Sequence, residues 1–327
     1  MKFSSLLAAL LLISTSSFAS IWRVNNNASS GANFSTINDA IQNSGVLNND
    51  TLHIESSGVS YSAFTLTKKL VLIGTGYMLG QRPGYQASAS ASTINGTCYI
   101  STGSDGSVIQ GIDFISGGLN ITVSNTIVTR NKFAASAGVD YYSNANNSLF
   151  LSNWGGNIYT YGSPINIVLR NSYLYSTSFS GTSQINMEHC YLYSGSYSTS
   201  TGVYKNNIFA SSQVSAITVS SVAIFSNNVF YTNPFASTNL QGSNLVSVPF
   251  SSIFSSVFDQ GNQSTLEPIP SAITNSAGEN GVDIGIYGGP TPYIKSGIPP
   301  IPTIYQLNVP AAASGNLPIT IGIRSNN

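Results

Sequence analysis

The chain has 327 residues, of which 42% are hydrophobic and only 7% are charged, and its 11 basic side chains equal its 11 acidic ones. Globular proteins usually carry about 25% charged residues, so neutral polar side chains must cover most of this surface. A chain without a basic excess is a poor nucleic-acid binder, and this hydrophobic fraction is too high for a disordered protein.

The N-terminus predicts a secretory signal peptide over residues 1–19. Lys2 precedes an apolar run from Leu6 to Ile13, and the small residues at 17 and 19 are typical of a cleavage site after Ala19. The apolar run is too short to span a bilayer, and no other stretch is long enough. We therefore expect a secreted or cell-surface protein with no membrane span.

A short amphipathic helix is predicted over residues 33–42. Ile37, Ala40 and Ile41 share one face, and Thr36 with Asp39 forms a capping signal. Segments 50–56, 62–67 and 68–77 then alternate like strands. We expect residues 20–49 to form an N-terminal segment whose helix caps the open end of a stacked-strand structure.

The middle of the chain contains a degenerate repeat, each copy of which ends on a large side chain. The separations between these ends are 19, 21, 19, 18, 17 and 21 residues. A period near 20 with one short strand per repeat indicates a solenoid, which we place at residues 50–289. The ends are Phe114, Phe133, Trp154, Tyr173, Tyr191, Ile208 and Val229.

Asparagine recurs two residues before these ends. Strand alternation would point these side chains inward, where buried amides must be hydrogen-bonded. We therefore expect a structural ladder of stacked asparagines, with His189 as a structural substitute at the same phase. The predicted members are Asn131, Asn171, Asn206 and Asn227.

These motifs, together with F-S-T-I-N-D-A-I at 34–41 and D-I-G-I-Y-G-G at 283–289, resemble a known family. They are similar to exported bacterial repeat proteins of the pectate-lyase-like superfold. The resemblance covers roughly residues 21–290 and implies an all-β protein, a single right-handed parallel β-helix with an N-terminal capping helix. It implies little about activity, because one fold hosts many functions.

After Gly289 the composition changes. Residues 290–305 are rich in proline, and 317–324 predict a final strand, so we expect residues 290–327 to form a Pro-rich extension with a terminal strand.

The two cysteines, Cys98 and Cys190, lie several repeats apart. At about 4.8 Å per turn they are too far apart for a disulfide, so we expect free thiols.

Charged residues offer two candidate catalytic sites. Arg170, Glu188 and Lys205 fall on three consecutive turns, where a polysaccharide lyase could use a base and cations beside a uronate. A surface ion-pair ladder explains the same pattern and is our preferred interpretation. Asp113 lies in G-I-D-F-I-S-G, which resembles the G-x-x-D-F-I-x-G segment of pectin methylesterases, whose matching Asp is the nucleophile. The family's Gln-Asp pair and Arg-Pro-Trp segment are missing, and a salt bridge from Lys132 also explains Asp113.

Tyrosines offer a third kind of site. Tyr141, Tyr142, Tyr159 and Tyr161 lie in the longer segments between motifs, and Tyr175 and Tyr193 lie near a corner. Tyr159, Tyr161, Tyr175 and Tyr193 are the candidates for stacking on sugar rings, although rings at these positions could equally cover strand edges.

No cluster of carboxylates predicts a metal site, and we expect no metal and no cofactor. The leading hypothesis is an exported non-catalytic protein that binds a polysaccharide or cell-surface glycan, or acts as an adhesive surface component. The alternatives are a polysaccharide lyase or other carbohydrate-active enzyme, and a structural component of an envelope or matrix.

Overall fold

The structure is a computed structural model that describes residues 19–193, 197–210, 217–218, 222–233, 243–310 and 316–326. The predicted signal peptide, apart from Ala19, lies outside the described residues. Three parallel sheets, here called A, B and C, form the wall of the molecule. In the part of the chain that is described, no helix has the length and apolarity needed to cross a membrane.

Sheet A has ten strands and sheet C has eight, while sheet B consists of two four-stranded halves. The strands of sheet A are Ile21–Val24, Thr51–Ile54, Val71–Ile73, Val108–Gln110, Ile127–Thr129, Leu149–Leu151, Ile167–Arg170, Ile185–Glu188, Gly202–Lys205 and Ala223–Ser226. Those of sheet B are Tyr61–Ser62, Thr93–Asn95, Asp113–Phe114 and Lys132–Phe133, then Tyr173–Leu174, Tyr191–Leu192, Ile208–Phe209 and Val229–Phe230. Those of sheet C are Thr65–Leu66, Thr97–Ile100, Gly117–Ile121, Ala137–Tyr141, Asn157–Thr160, Ser176–Ser178, Tyr197–Ser198 and Ile217–Thr218.

The strands of each sheet follow one another in chain order and pair in parallel. Each turn of the chain therefore adds one strand to a sheet, which is the connectivity of a solenoid. The expected all-β, single parallel β-helix is confirmed. Among the described residues, parallel pairing starts at Ile21, and its last bridge joins Val229 to Leu245.

The described chain contains one α-helix, α1, which covers Ile37–Gln42 near the start of the solenoid. Its N-cap is Thr36, whose side-chain oxygen accepts the N–H of Asp39 at 3.0 Å. Ile37, Ala40 and Ile41 are buried in the same apolar core as the first strands. The other helical segments among the described residues are single 3-10 turns at Leu79–Gln81, Phe250–Ser252, Gln263–Leu266, Glu279–Gly281 and Lys295–Gly297.

The core is a column of apolar side chains inside the wall. In sheet A the strand register stacks Leu52, Leu72, Ile109, Val128, Phe150, Leu169, Met187, Tyr204 and Phe225. Cys98 lies in sheet C, Cys190 follows a strand of sheet A, and both thiols are free and buried. Burial raises the pKa of each thiol to about 12, so both stay protonated and unreactive at neutral pH.

A ladder of asparagines lines the corner between sheets A and B, but its members differ from those expected. Asn131 belongs to it, because its amide nitrogen donates to the carbonyl of Ile109 at 2.9 Å and to Oδ1 of Asn153 at 3.2 Å. The further members each donate to a carbonyl of the preceding turn. They are Asn153, Asn207, Asn228 and Asn244.

Asn171, Asn206 and Asn227 lie one position before the ladder and are not part of it. Their φ angles are 47°, 57° and 52°, so they form the bend of the corner, as does His189 at 53°. His189 does share the phase of these asparagines, and its Nε2 lies 3.2 Å from the amide nitrogen of Asn206. The prediction of a single inward ladder failed because the register pairs Trp154 with Lys132 and not with Phe133. From that turn onward the repeat ends that we aligned point out of the solenoid.

These outward side chains form a second apolar cluster with the C-terminal chain. Residues 246–298 run over the outer face of sheet B, and we call them the covering segment. Trp154 Nε1, for example, donates to the carbonyl of Gln260 at 3.0 Å. Buried members of this cluster include Tyr77, Trp154, Tyr173, Tyr191, Ile208, Val229, Phe254, Ile284, Ile286 and Tyr293.

The chain ends in an antiparallel hairpin, Thr303–Asn308 with Thr320–Arg324. The second of these strands lies where the sequence predicted one, and the first was not predicted. The carbonyl of Ile304 accepts the N–H of Ala87 at 2.8 Å, and Arg324 stacks over the ring of Tyr85 at 4.2 Å. The base of the hairpin is therefore attached to the loop after the third strand of sheet A.

Candidate functional site

The charged residues on the outer face of sheet A form a continuous ion-pair ladder. Nη2 of Arg170 lies 2.8 Å from Oε2 of Glu188, and Nζ of Lys205 lies 3.4 Å from Oε1 of the same carboxylate. Lys205 also contacts Oε2 of Glu279 at 2.8 Å. The structure thus brings together all three predicted residues and adds Glu279, which sequence spacing alone could not place beside them.

This arrangement does not favour a catalytic base. The hydrogen bond that Lys205 donates to Glu279 is the main cause that raises the pKa of Lys205, so its ammonium group stays protonated at neutral pH. Both oxygens of Glu188 are occupied by cations. The two carboxylates neutralise the two cations. This fits the interpretation of these residues as a structural ion-pair ladder.

Asp113 lies on the outer face of sheet B and is only 7% exposed. Nζ of Lys132, on the next turn, lies 3.0 and 2.9 Å from its two carboxylate oxygens. Burial raises the pKa of Asp113, while the charge of Lys132 opposes this shift. Both carboxylate oxygens face a lysine, so the geometry is that of a largely buried salt bridge.

Tyr175 and Tyr193 also lie on the outer face of sheet B, at the edge of the covering segment. The ring of Tyr193 lies 4.4 Å from that of Phe258, and it lines a cavity of about 410 Å³ with Tyr191 and Phe254. Tyr175 lines a neighbouring cavity of about 360 Å³. Both rings are half-buried and take part in packing within the chain.

Tyr159 and Tyr161 lie on a different face, the outer side of sheet C. Tyr161 is 48% exposed and stacks on Tyr142 of the previous turn, with 5.1 Å between ring centroids. The segments expected to be inserts are strands here, which is why Tyr141 points inward and is fully buried. The two predicted tyrosine pairs therefore belong to separate surfaces.

The strand register shows that this outer surface of sheet C continues over four consecutive turns. Tyr99, Asn120, Asp140 and Tyr159 occupy one outward column, and Tyr99 is 47% exposed. We call Tyr99, Asp140, Tyr142, Tyr159 and Tyr161 the tyrosine platform. Sequence reasoning missed Tyr99 and Asp140, although alternation in C-Y-I at 98–100 and V-D-Y at 139–141 points both outward.

Asp140 is the charged residue of the platform. Burial raises the pKa of its carboxyl group, and its negative charge is the main cause that raises the pKa of Tyr161. The eight described strands of sheet C contain no Lys or Arg. The platform thus combines flat rings, phenolic hydroxyls and one carboxylate with no cation on the same sheet.

The described residues contain no group of three His, Cys, Asp or Glu side chains placed to hold a metal ion. The side chains of the platform supply ring stacking and hydrogen bonding from neutral polar groups, with one acceptor carboxylate.

Comparison of the chain with protein-family models and with the sequences of curated proteins gave no match. Among solved structures, the chain is similar to a pectin methylesterase from Aspergillus niger, with 13% sequence identity and a TM-score of 0.33. The similar region covers 80% of this chain and 93% of that one. At this identity and degree of superposition, the similarity assigns neither an activity nor a site to the chain.

Proposed function

We propose that this protein is an exported glycan-binding protein and that the tyrosine platform is the surface that holds the glycan. The observation that carries the proposal is the stacked pair of half-buried Tyr142 and exposed Tyr161 on the outer side of a parallel sheet. Flat aromatic rings bind the apolar face of a sugar ring, while their hydroxyls bond to its polar edge.

The length of the platform favours a polysaccharide over a single sugar. Tyr99 and Tyr159 are three turns apart in one column. With a strand spacing of about 4.8 Å, they are roughly 14 Å apart along the solenoid. A chain of several sugar units can therefore contact rings at both ends.

The charge of the platform favours a neutral glycan. Asp140 can accept hydrogen bonds from sugar hydroxyls, but it repels a uronate, and the strands of sheet C supply no cation to offset this repulsion. The alternative of a polysaccharide lyase has less support, because its candidate base Lys205 is held protonated in the ion-pair ladder.

Retardation in gels that contain dissolved polysaccharide tests the proposal. We expect neutral glucans, mannans or xylans to slow the protein more than polygalacturonate or alginate. Tyr142→Ala and Tyr161→Ala should each weaken binding about tenfold, the loss of one stacked ring. Tyr305→Ala, which removes an exposed ring outside the platform, is the matched control.

Two results would overturn the proposal. One is unchanged retardation in both platform variants. The other is the appearance of new reducing ends or unsaturated products in the same incubations, if Lys205→Ala abolishes them.

A further inference from the structure

The terminal hairpin carries an apolar face that the described chain leaves about half exposed. Antiparallel register places Ile304 opposite Ile323 and Leu307 opposite Ile321. Alternation adds Val309 and Ile319 to the same face. All six side chains of this aliphatic face are between 46% and 66% exposed.

The opposite face of the hairpin is polar, in contrast to the aliphatic face. Gln306, Asn308 and Thr320 lie there, and the ring of Tyr305 packs over Gly322. Such two-faced strands normally bury their apolar side. Soluble monomers seldom expose contiguous aliphatic patches of several hundred Å², and those that exist usually mark an interaction site.

We propose that the aliphatic face is a self-association surface, which packs against the same face of a second copy across a two-fold axis. A two-fold contact requires a surface patch that is complementary to itself. An uncharged aliphatic face meets this requirement, because it can pack against an identical face. The whole chain has equal numbers of basic and acidic residues, so net charge does not oppose the contact.

The face fits a second copy better than a membrane surface. Peripheral membrane binding relies on cations beside the apolar side chains. The charged residue of the hairpin strands is Arg324, which is engaged with Tyr85 and with the carbonyl of Gly84 at 3.0 Å. Because the base of the hairpin is already fixed to the body, association costs little additional conformational entropy.

The size of the face predicts a weak dimer. Six half-exposed aliphatic side chains bury roughly 500–600 Å² per copy, so a pair buries about 1,100 Å², near the lower limit for a stable interface. Ile304 and Leu307 also line a cavity of about 380 Å³ between the hairpin and the body. This space can receive side chains of the second copy.

Sedimentation equilibrium of the purified protein over a range of concentrations tests this inference. We expect a monomer–dimer equilibrium with a Kd in the micromolar range. Ile321→Lys should leave a monomer throughout, because it places a charge in the interface of each copy. Thr320→Lys adds the same charge on the polar face and should leave the dimer intact. Both sites are exposed, so thermal unfolding should be similar in the two variants.

The inference is overturned if the wild-type protein is monomeric at all concentrations, or if Ile321→Lys dimerises as the wild type does. Flotation of a monomeric wild type with neutral or anionic lipid vesicles, lost in Ile321→Lys, would also overturn it in favour of a membrane. Glycan binding by the platform is measured separately, so either proposal can fail without the other.

Discussion

At the corner between sheets A and B, single residues set the path of the chain. One residue per turn has a positive φ angle, and the next residue points into the core. Gly111, Arg130, Ser152, Asn171, His189, Asn206 and Asn227 take the first position. Gly and Asn adopt this left-handed conformation at low cost, which explains their frequency there.

The asparagine ladder occupies the position that follows the positive-φ residue. The contribution of this ladder to stability can be tested at Asn207. Its oxygen accepts the N–H of Cys190 at 2.8 Å, and its amide nitrogen donates to the carbonyl of Met187 at 2.9 Å. Asn207→Ala leaves both backbone groups buried without this partner, so we expect a loss of about 2–4 kcal/mol in the free energy of unfolding.

Urea denaturation measures this loss, with Asn308→Ala as the control. Asn308 is exposed on the hairpin, and its replacement should change stability by less than about 0.5 kcal/mol. Equal effects of the two substitutions would contradict a stabilising ladder.

The repeat predicted that asparagines stack but not which ones. In K-N-N at 205–207 and S-N-N at 226–228, both corner positions hold asparagine for different reasons. One asparagine tolerates positive φ, and the other satisfies buried backbone groups. Spacing alone cannot separate two neighbouring positions that prefer the same residue, and this ambiguity produced the one-residue error.

At the scale of elements, the corner residues hold the covering segment. The amide nitrogen of Asn171 donates to the carbonyls of Ile286 and Gly288, and Oδ1 of Asn206 accepts the N–H of Glu279. A Cβ added at Gly288 would lie 2.8 Å from Nδ1 of His189. Glycine at this position lets the segment pack directly on the imidazole ring.

This packing predicts a pH dependence of stability through His189. Burial lowers its pKa from the usual 6.5, so the folded protein keeps the ring neutral where the unfolded chain binds a proton. The stabilising effect is complete above about pH 6.5 and is lost as the pH falls towards the lower pKa of the folded state.

Thermal unfolding between pH 7 and pH 5 tests this prediction. His189→Asn suits the positive φ angle and should show a smaller fall in Tm over this range than the wild type. His53, the other histidine, also has a pKa lowered mainly by burial, and the His53→Asn variant serves as the comparison. An unchanged pH profile in His189→Asn would contradict the account.

At the scale of the whole molecule, the three sheets have different outer surfaces. The covering segment packs over sheet B, and the hairpin lies beside sheet A near His53 and Gly74. Sheet C presents the tyrosine platform to solvent. In the part of the chain that is described, the outer face of sheet C is thus a weakly charged surface that can bind the proposed ligand.

The fold class could be predicted because a period near 20 recurs in every turn between the sheet A strands that begin at Val108 and Ala223. The covering segment could not, since it has no period and its contacts join residues far apart in sequence, such as Trp154 and Gln260. Tyr159 and Tyr161 were proposed because they lie in the longer segments between motifs, whereas Asp140 needed the strand register that places it beside Tyr159. The ion-pair ladder was predicted because its members lie on adjacent turns.

Isothermal titration with the neutral polysaccharide that retards the protein most is the most direct test of the proposed function. The titration compares the wild type, the double variant Tyr142→Ala/Tyr161→Ala and the control Tyr305→Ala. We predict saturable binding by the wild type and the control, and affinity about 100-fold weaker in the double variant. Equal affinity of the wild type and the double variant would contradict the assignment of the glycan site to sheet C.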